Sequence, residues 1–217
     1  MANTDNQITI LCYGDSNTYG YNPENNGRRY KKSERWTMRL EEKLGKGYCI
    51  VEEGLNGRTT AYDRPNGAFK NGLTPLAAIL GSHIPIDILI FMLGTNDCNI
   101  EMVLKKEDIA AGMEKLVVQA KKTCEELQGY IPEIILIAPA AIREELAGTP
   151  FEDQLDRSSV KKSREIAALY ENIAEKHKCR FLNACDKLEV SKTDCEHLTL
   201  NGHSRLADMI YELITLR

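Results

Sequence analysis

The sequence predicts an α/β protein, a three-layer α/β/α sandwich around a mainly parallel central sheet of five strands. Five short apolar runs rich in Ile, Val, Leu or Phe recur along the 217 residues, at 7–13, 48–52, 86–93, 133–138 and 179–183. Helical patterns lie between them, so strand and helix alternate from one end to the other, as in a parallel sheet covered on both faces. Polar residues able to do chemistry follow several of the runs, where the loops of such a sheet form a crevice at the carboxyl ends of the strands.

The first run, ITILCY, stops abruptly at Gly14-Asp15-Ser16 and gives way to the polar and aromatic NTYGYN. A helix is expected at 34–44, before the second strand. Another is expected at 74–80, between the second and third strands. The clearest helical face comes next, with Ile109, Met113, Leu116, Val117, Ala120, Cys124 and Leu127 on one stripe. Helices at 158–177 and 201–216 flank the last strand. Most of the runs lack apolar-polar alternation and read as strands buried on both faces. No repeat, linker or low-complexity segment interrupts the pattern, so one domain spanning 1–217 is expected.

Composition narrows the function classes. Apolar residues make up 42% and charged residues 28% of the chain, the balance of an ordinary globular protein. The net charge of -4 and the lack of a long basic run give no footprint for nucleic acid or an anionic membrane. The polar N-terminus lacks the basic and long apolar regions of a secretion signal, and no apolar stretch is long enough to span a bilayer, so a cytoplasmic location without membrane insertion is expected. The seven cysteines are scattered, odd in number and without a C-x-x-C pair, and they read as reduced thiols. Cys195 stands apart only because it lies between Asp194 and His197.

A serine hydroxyl becomes a nucleophile when a neutral imidazole, held by a carboxylate, takes its proton. Of the four histidines, His83 precedes a strand, His177 ends a helix where the dipole favours it, and His203 opens the last helix in a structural position. His197 differs, because Asp194 lies three residues before it in TDCEHL, within reach of Nδ1. Acyl transfer also needs donors for the oxyanion. Gly57 in NGR offers an unobstructed N–H, and Asn96 in GTND offers an uncharged amide. Taken singly, each of these motifs reads more readily as turn chemistry or as polar residues on the surface.

Together, the blocks GDSNTYG, EEGLNGRTT, MLGTND and DCEHLTLNGHSRLA resemble the SGNH hydrolases, also called the GDSL esterase family, from Ile10 to Ala207. The resemblance implies a flavodoxin-like sandwich and a serine esterase for short acyl, acetyl or aryl esters, able to pass the acyl group to water or an alcohol. Its catalytic residues fall on Ser16, Asp194 and His197, and its oxyanion donors on Ser16, Gly57 and Asn96. Asn17 stands where the family name motif has leucine. The segments RYKKSERWTMRLEEKLG and VEEGLNGRTTAYD look most like the bacterial arylesterase and acyltransferase subgroup, which implies a narrow apolar entrance and a homo-oligomer. Asp15, Asn17, Tyr19 and Trp36, with the segment 140–151, are the expected pocket residues. No cofactor or metal is expected.

Deacetylation of sugars and lysophospholipid hydrolysis use the same machinery, and a catalytically inactive carbohydrate-binding or scaffold protein is the non-enzyme alternative. Against other classes, the chain lacks a P-loop, a dinucleotide G-x-G-x-x-G, a G-x-S-x-G elbow and zincin spacing.

Overall fold

A computed structural model describes residues 7–65 and 67–216. The first six residues of the polar N-terminal segment and the outermost residues of the 1–217 span lie outside the described residues. Five parallel strands, β1 (Ile8–Gly14), β2 (Tyr48–Gly54), β3 (Ile88–Met92), β4 (Glu133–Ala138) and β5 (Arg180–Asn183), form one sheet in the order β2-β1-β3-β4-β5. The helices are α1 (Ser16–Tyr19), α2 (Trp36–Leu44), α3 (Leu73–His83), α4 (Lys106–Gln128), α5 (Arg157–His177) and α6 (Leu200–Thr215).

The strand pleat sorts side chains into two layers. Leu11, Tyr13, Leu89, Phe91 and Leu136 point to the face packed by α3, α4 and α5. Their neighbours Ile10, Cys12, Ile90, Ile135 and Ile137 point to the face packed by α2 and α6. The central strands are therefore uninterrupted apolar runs, and all five residues of β3 are buried. The edges depart from the expectation of burial on both faces. In β2 only Ile50 is buried, and no residue of β5 is, because each pairs with a single neighbour.

Topology positions the site. From β1 the chain steps one way to β2 and then returns past it to β3, so the order reverses between β1 and β3. Loops leaving those two strands diverge and leave a crevice at their carboxyl ends. Gly14 ends β1 there, and only a glycine fits: a Cβ on it would lie 2.0 Å from the Thr18 hydroxyl and 3.0 Å from the Met92 carbonyl. That close approach seats α1 directly on the end of the sheet. Among the described residues, no helix is long and apolar enough to cross a membrane.

Candidate active site

Ser16 is the first residue of α1, carried there by the turn that ends β1. The preceding Asp15 caps the helix, and its carboxylate accepts the Asn17 N–H at 2.9 Å. Burial dominates its ionisation and pushes that carboxyl up to about 7, against the pull of the Asn17 hydrogen bond. The Ser16 Oγ lies 2.8 Å from His197 Nε2. On the other side of the ring, His197 Nδ1 lies 2.7 Å from Asp194 Oδ2. A carboxylate can only accept at that distance, so Nδ1 carries the proton and Nε2 is left to receive one from serine.

The loop between β5 and α6 holds the imidazole rigidly. Asp194 Oδ1 accepts the backbone N–H groups of Glu196 and His197 at 3.1 and 3.0 Å. Across the sheet edge, Asn17 Oδ1 accepts the Leu198 N–H at 2.9 Å and its amide donates to the Glu196 carbonyl at 3.4 Å. Asn17 thus grips the chain on both sides of His197. Tyr21 stacks on the imidazole, with ring centroids 4.0 Å apart and planes 24° apart.

Burial acts against the charged forms of both Asp194 and His197, yet their mutual hydrogen bond wins in each case. The Asp194 carboxyl sits below its ordinary range. The imidazole sits above 6.5, raised by the Asp194 hydrogen bond and by the negative potential of Glu196, Asp194 and Asp15.

Two further loops converge on Ser16. Gly57, after β2, adopts φ +80°, the left-handed region where a side chain is strained. Neither its N–H nor that of Ser16 is donated to another described residue. Asn96, after β3, donates one amide hydrogen to the Arg58 carbonyl at 3.1 Å, while its Oδ1 receives a long contact from Arg64 at 3.5 Å. An amide nitrogen has two hydrogens, which leaves one for the cleft. Asp97 ties the two loops together: its carboxylate accepts the Thr60 N–H at 2.9 Å and the Thr60 hydroxyl at 2.6 Å. Arg58 is buried and reaches the carbonyls of Gly14 and Glu53, joining the ends of β1 and β2.

Ser16, Gly57, Asn96 and His197 line one cleft of about 310 Å³, and Asp194 lies behind the histidine. The cleft wall differs from the expected one. Trp36 is fully buried where α2 packs on α6, and its backbone N–H donates to His203 Nδ1 at 3.3 Å. Asp15 and Asn17 are buried behind the serine, occupied with capping and with the histidine loop. Tyr19 points away and lies under the Arg29 guanidinium at 4.6 Å. None of the four lines the cleft. Of the segment 140–151, only Phe151 does. In place of a narrow apolar entrance, the wall combines Tyr21, Phe151 and Leu155 with Asn56, Asn99, Gln154, Arg64, Lys70, Glu101 and Glu196.

Tyr21, two residues beyond Tyr19 and across a glycine with φ +89°, was signalled only by the aromatic richness of NTYGYN. The other histidines lie elsewhere, with His83 and His177 paired to Glu53 and Glu114 at 2.8 and 2.6 Å. Cys195 is buried and its thiol donates to the Glu145 carbonyl at 3.2 Å.

The pattern of the GDSL-like Lipase/Acylhydrolase family matches residues 12–207. The structure is similar to Est24, a carbohydrate acetylesterase from Sinorhizobium meliloti, at 35% identity and a TM-score of 0.87, over 97% of this chain and 99% of that one. It is similar to the aryl esterase of M. smegmatis at 30% identity and a TM-score of 0.88, over 95% of this chain and 98% of that one. A carbohydrate acetylesterase family member from Sinorhizobium meliloti aligns at 29% identity, with a TM-score of 0.88, over 97% of this chain and 98% of that one. No curated protein matches the chain in a sequence comparison.

Proposed function

We propose that this chain, which belongs to the GDSL-like lipase/acylhydrolase family, hydrolyses small carboxylic esters through an acyl intermediate on Ser16, with His197 as base and Asp194 as its orienting partner. The observation that carries this reading is the unbroken relay from Ser16 Oγ to His197 Nε2 at 2.8 Å and from His197 Nδ1 to Asp194 at 2.7 Å.

As Ser16 Oγ bonds to the ester carbonyl carbon, its proton passes to Nε2 and the imidazolium is stabilised by Asp194. The carbonyl oxygen becomes an oxyanion held by the N–H groups of Ser16 and Gly57 and by the Asn96 amide. Collapse breaks the bond to the alcohol oxygen, which takes the proton back from Nε2 as it leaves. Water, deprotonated by the same nitrogen, then attacks the acyl-serine and releases the acid and the free hydroxyl. An alcohol in place of water would complete an acyl transfer.

Sugar deacetylation is the second reading, favoured by the amides of Asn56, Asn99 and Gln154 in the cleft wall. Such groups hydrogen-bond hydroxyls more readily than they line a channel for a long acyl chain, which weighs against a lysophospholipid. A cytoplasmic setting belongs to the same proposal and is supported by the seven free cysteines. A homo-oligomer does too, and sedimentation measures it.

The test is labelling of the folded protein by a serine-reactive phosphonate, run beside nitrophenyl esters of increasing acyl length and acetylated xylose. Ser16 is expected to be modified, Ser16→Ala to lose both label and turnover, and Asn96→Ala to lose about a hundred- to a thousand-fold in kcat, as for other oxyanion donors. An unlabelled Ser16 in folded protein sinks the esterase reading and leaves a binding protein.

A further inference from the structure

The cleft holds two cations that the hydrolytic relay does not use. Arg64 and Lys70 both line it, from the loop that connects β2 to α3. No carboxylate forms an ion pair with either among the described residues. Arg64 spends one N–H on the long 3.5 Å contact to Asn96 Oδ1. Among the described residues the Lys70 ammonium forms no ion pair, and the ring of the exposed Phe69 lies 5.8 Å from it. Its side chain crosses Gly57 closely enough that a Cβ there would meet Nζ at 2.9 Å. The two cations therefore stand beside the two groups that would hold the oxyanion with Ser16.

Like charges held together at a partly buried site without a direct ion pair are costly in an empty cleft and favourable once an anion arrives. Burial and the nearby Arg64 charge both push the Lys70 ammonium below its ordinary pKa, as expected for a cation lacking a partner. Two acids share the cleft, Glu101 at its exposed rim and Glu196 beside the histidine. Neither forms an ion pair with Arg64 or Lys70; burial holds the Glu196 carboxyl above its ordinary range, against a through-space pull from Arg64.

We propose that the cleft selects esters that carry an anionic group, a carboxylate or a phosphate, and that Arg64 and Lys70 bind that group while the ester carbonyl sits against Ser16. This rests on the esterase reading and narrows it to a substrate class. Guanidinium and ammonium match either anion, Arg64 with its planar fork and Lys70 as a point charge.

The experiment compares kcat/KM on matched pairs. Phenyl acetate is set against 3-acetoxybenzoate and 3-acetoxyphenyl phosphate, which place a carboxylate or a phosphate on the alcohol half. Nitrophenyl valerate is set against nitrophenyl succinate, with the carboxylate on the acyl half. At least one anionic ester is expected to be preferred over its neutral partner. Arg64→Gln or Lys70→Gln should each cut that preference about tenfold, the effect of losing one charge-assisted contact. Lys70→Glu should reverse it, and Lys70→Arg should retain it. The preference should shrink as salt is added.

Equal losses on neutral and anionic esters would overturn the proposal and give the cations to the oxyanion instead. A neutral preference in the parent protein would overturn it too. Turnover of none of the esters, with Ser16 unlabelled by phosphonate, marks failure of the esterase reading itself. In that case calorimetry with benzoate and phenyl phosphate still decides whether the cations bind an anion.

Discussion

Around His197 three acids act on one imidazole, one by direct contact and two through space. Asp194 makes the 2.7 Å contact to Nδ1, while Glu196 and Asp15 act through space. Burial favours the neutral ring, but the carboxylates outweigh it and the imidazole titrates above 6.5. Only a neutral ring can take the serine proton, so with His197 as the proposed base protonation should switch activity off. The acid limb of kcat/KM on nitrophenyl acetate should therefore have its midpoint above 6.5 and not at it. Glu196→Gln removes one of the charges that raise the imidazole and should move that midpoint to lower pH, with the rate at the alkaline plateau reported separately. A midpoint that stays put would show that Glu196 does not act on the ring. A rate flat from mildly acid to neutral pH would remove His197 as the base.

At the level of elements, the site depends on three strand ends being tied to one another. Arg58 joins β1 to β2, and Asp97 joins the loop after β3 to the loop after β2 through Thr60. Asp97→Ala would strand the buried Thr60 N–H and hydroxyl, at a cost of about 1–3 kcal/mol for the orphaned groups. It should lower the melting temperature and also kcat, because Gly57 and Asn96 would no longer be held in common register. A fall in stability with kcat untouched would confine Asp97 to a structural role. The expected strands coincide with β1–β5 to within two or so residues, since central strands buried on both faces are continuous apolar runs. The meeting of Ser16 with His197 and Asp194 was legible through the family resemblance; parallel topology brings strand ends together but does not choose among the polar residues there. The wall was not. Trp36 opens α2 and turns into the core, and Tyr19 and Tyr21 diverge across Gly20, and residue type records neither direction. Asn17 was legible as a departure from leucine, but its grip on Glu196 and Leu198 depends on contacts about 180 residues away in sequence.

For the whole molecule, buried titratable groups set how stability responds to acid, and they pull in opposite directions. The carboxyls of Asp15 and Asp97 are raised by burial to about 7 and about 6, so in the folded state they take up protons before the unfolded chain does. They gain stability as pH falls through those values and lose it as pH rises. His203 works the other way. It is buried where α6 packs on α2, its Nδ1 accepts the Trp36 backbone N–H, and burial with the nearby Arg39 charge lowers it to about 3. The unfolded imidazole titrates near 6.5, so between about 6.5 and about 3 the unfolded chain binds a proton that the fold refuses. The His203 contribution is complete above 6.5 and is lost progressively on acidification through that window. His203→Gln keeps an oxygen acceptor for Trp36 and removes the titration. In denaturant unfolding at several pH values, the parent should lose about 1.4 kcal/mol more per pH unit than the variant inside the window, the weight of one proton. Above pH 7 the two should run parallel. Parallel curves throughout would mean that His203 takes its proton without unfolding, and would require the seam between α2 and α6 to admit a charge.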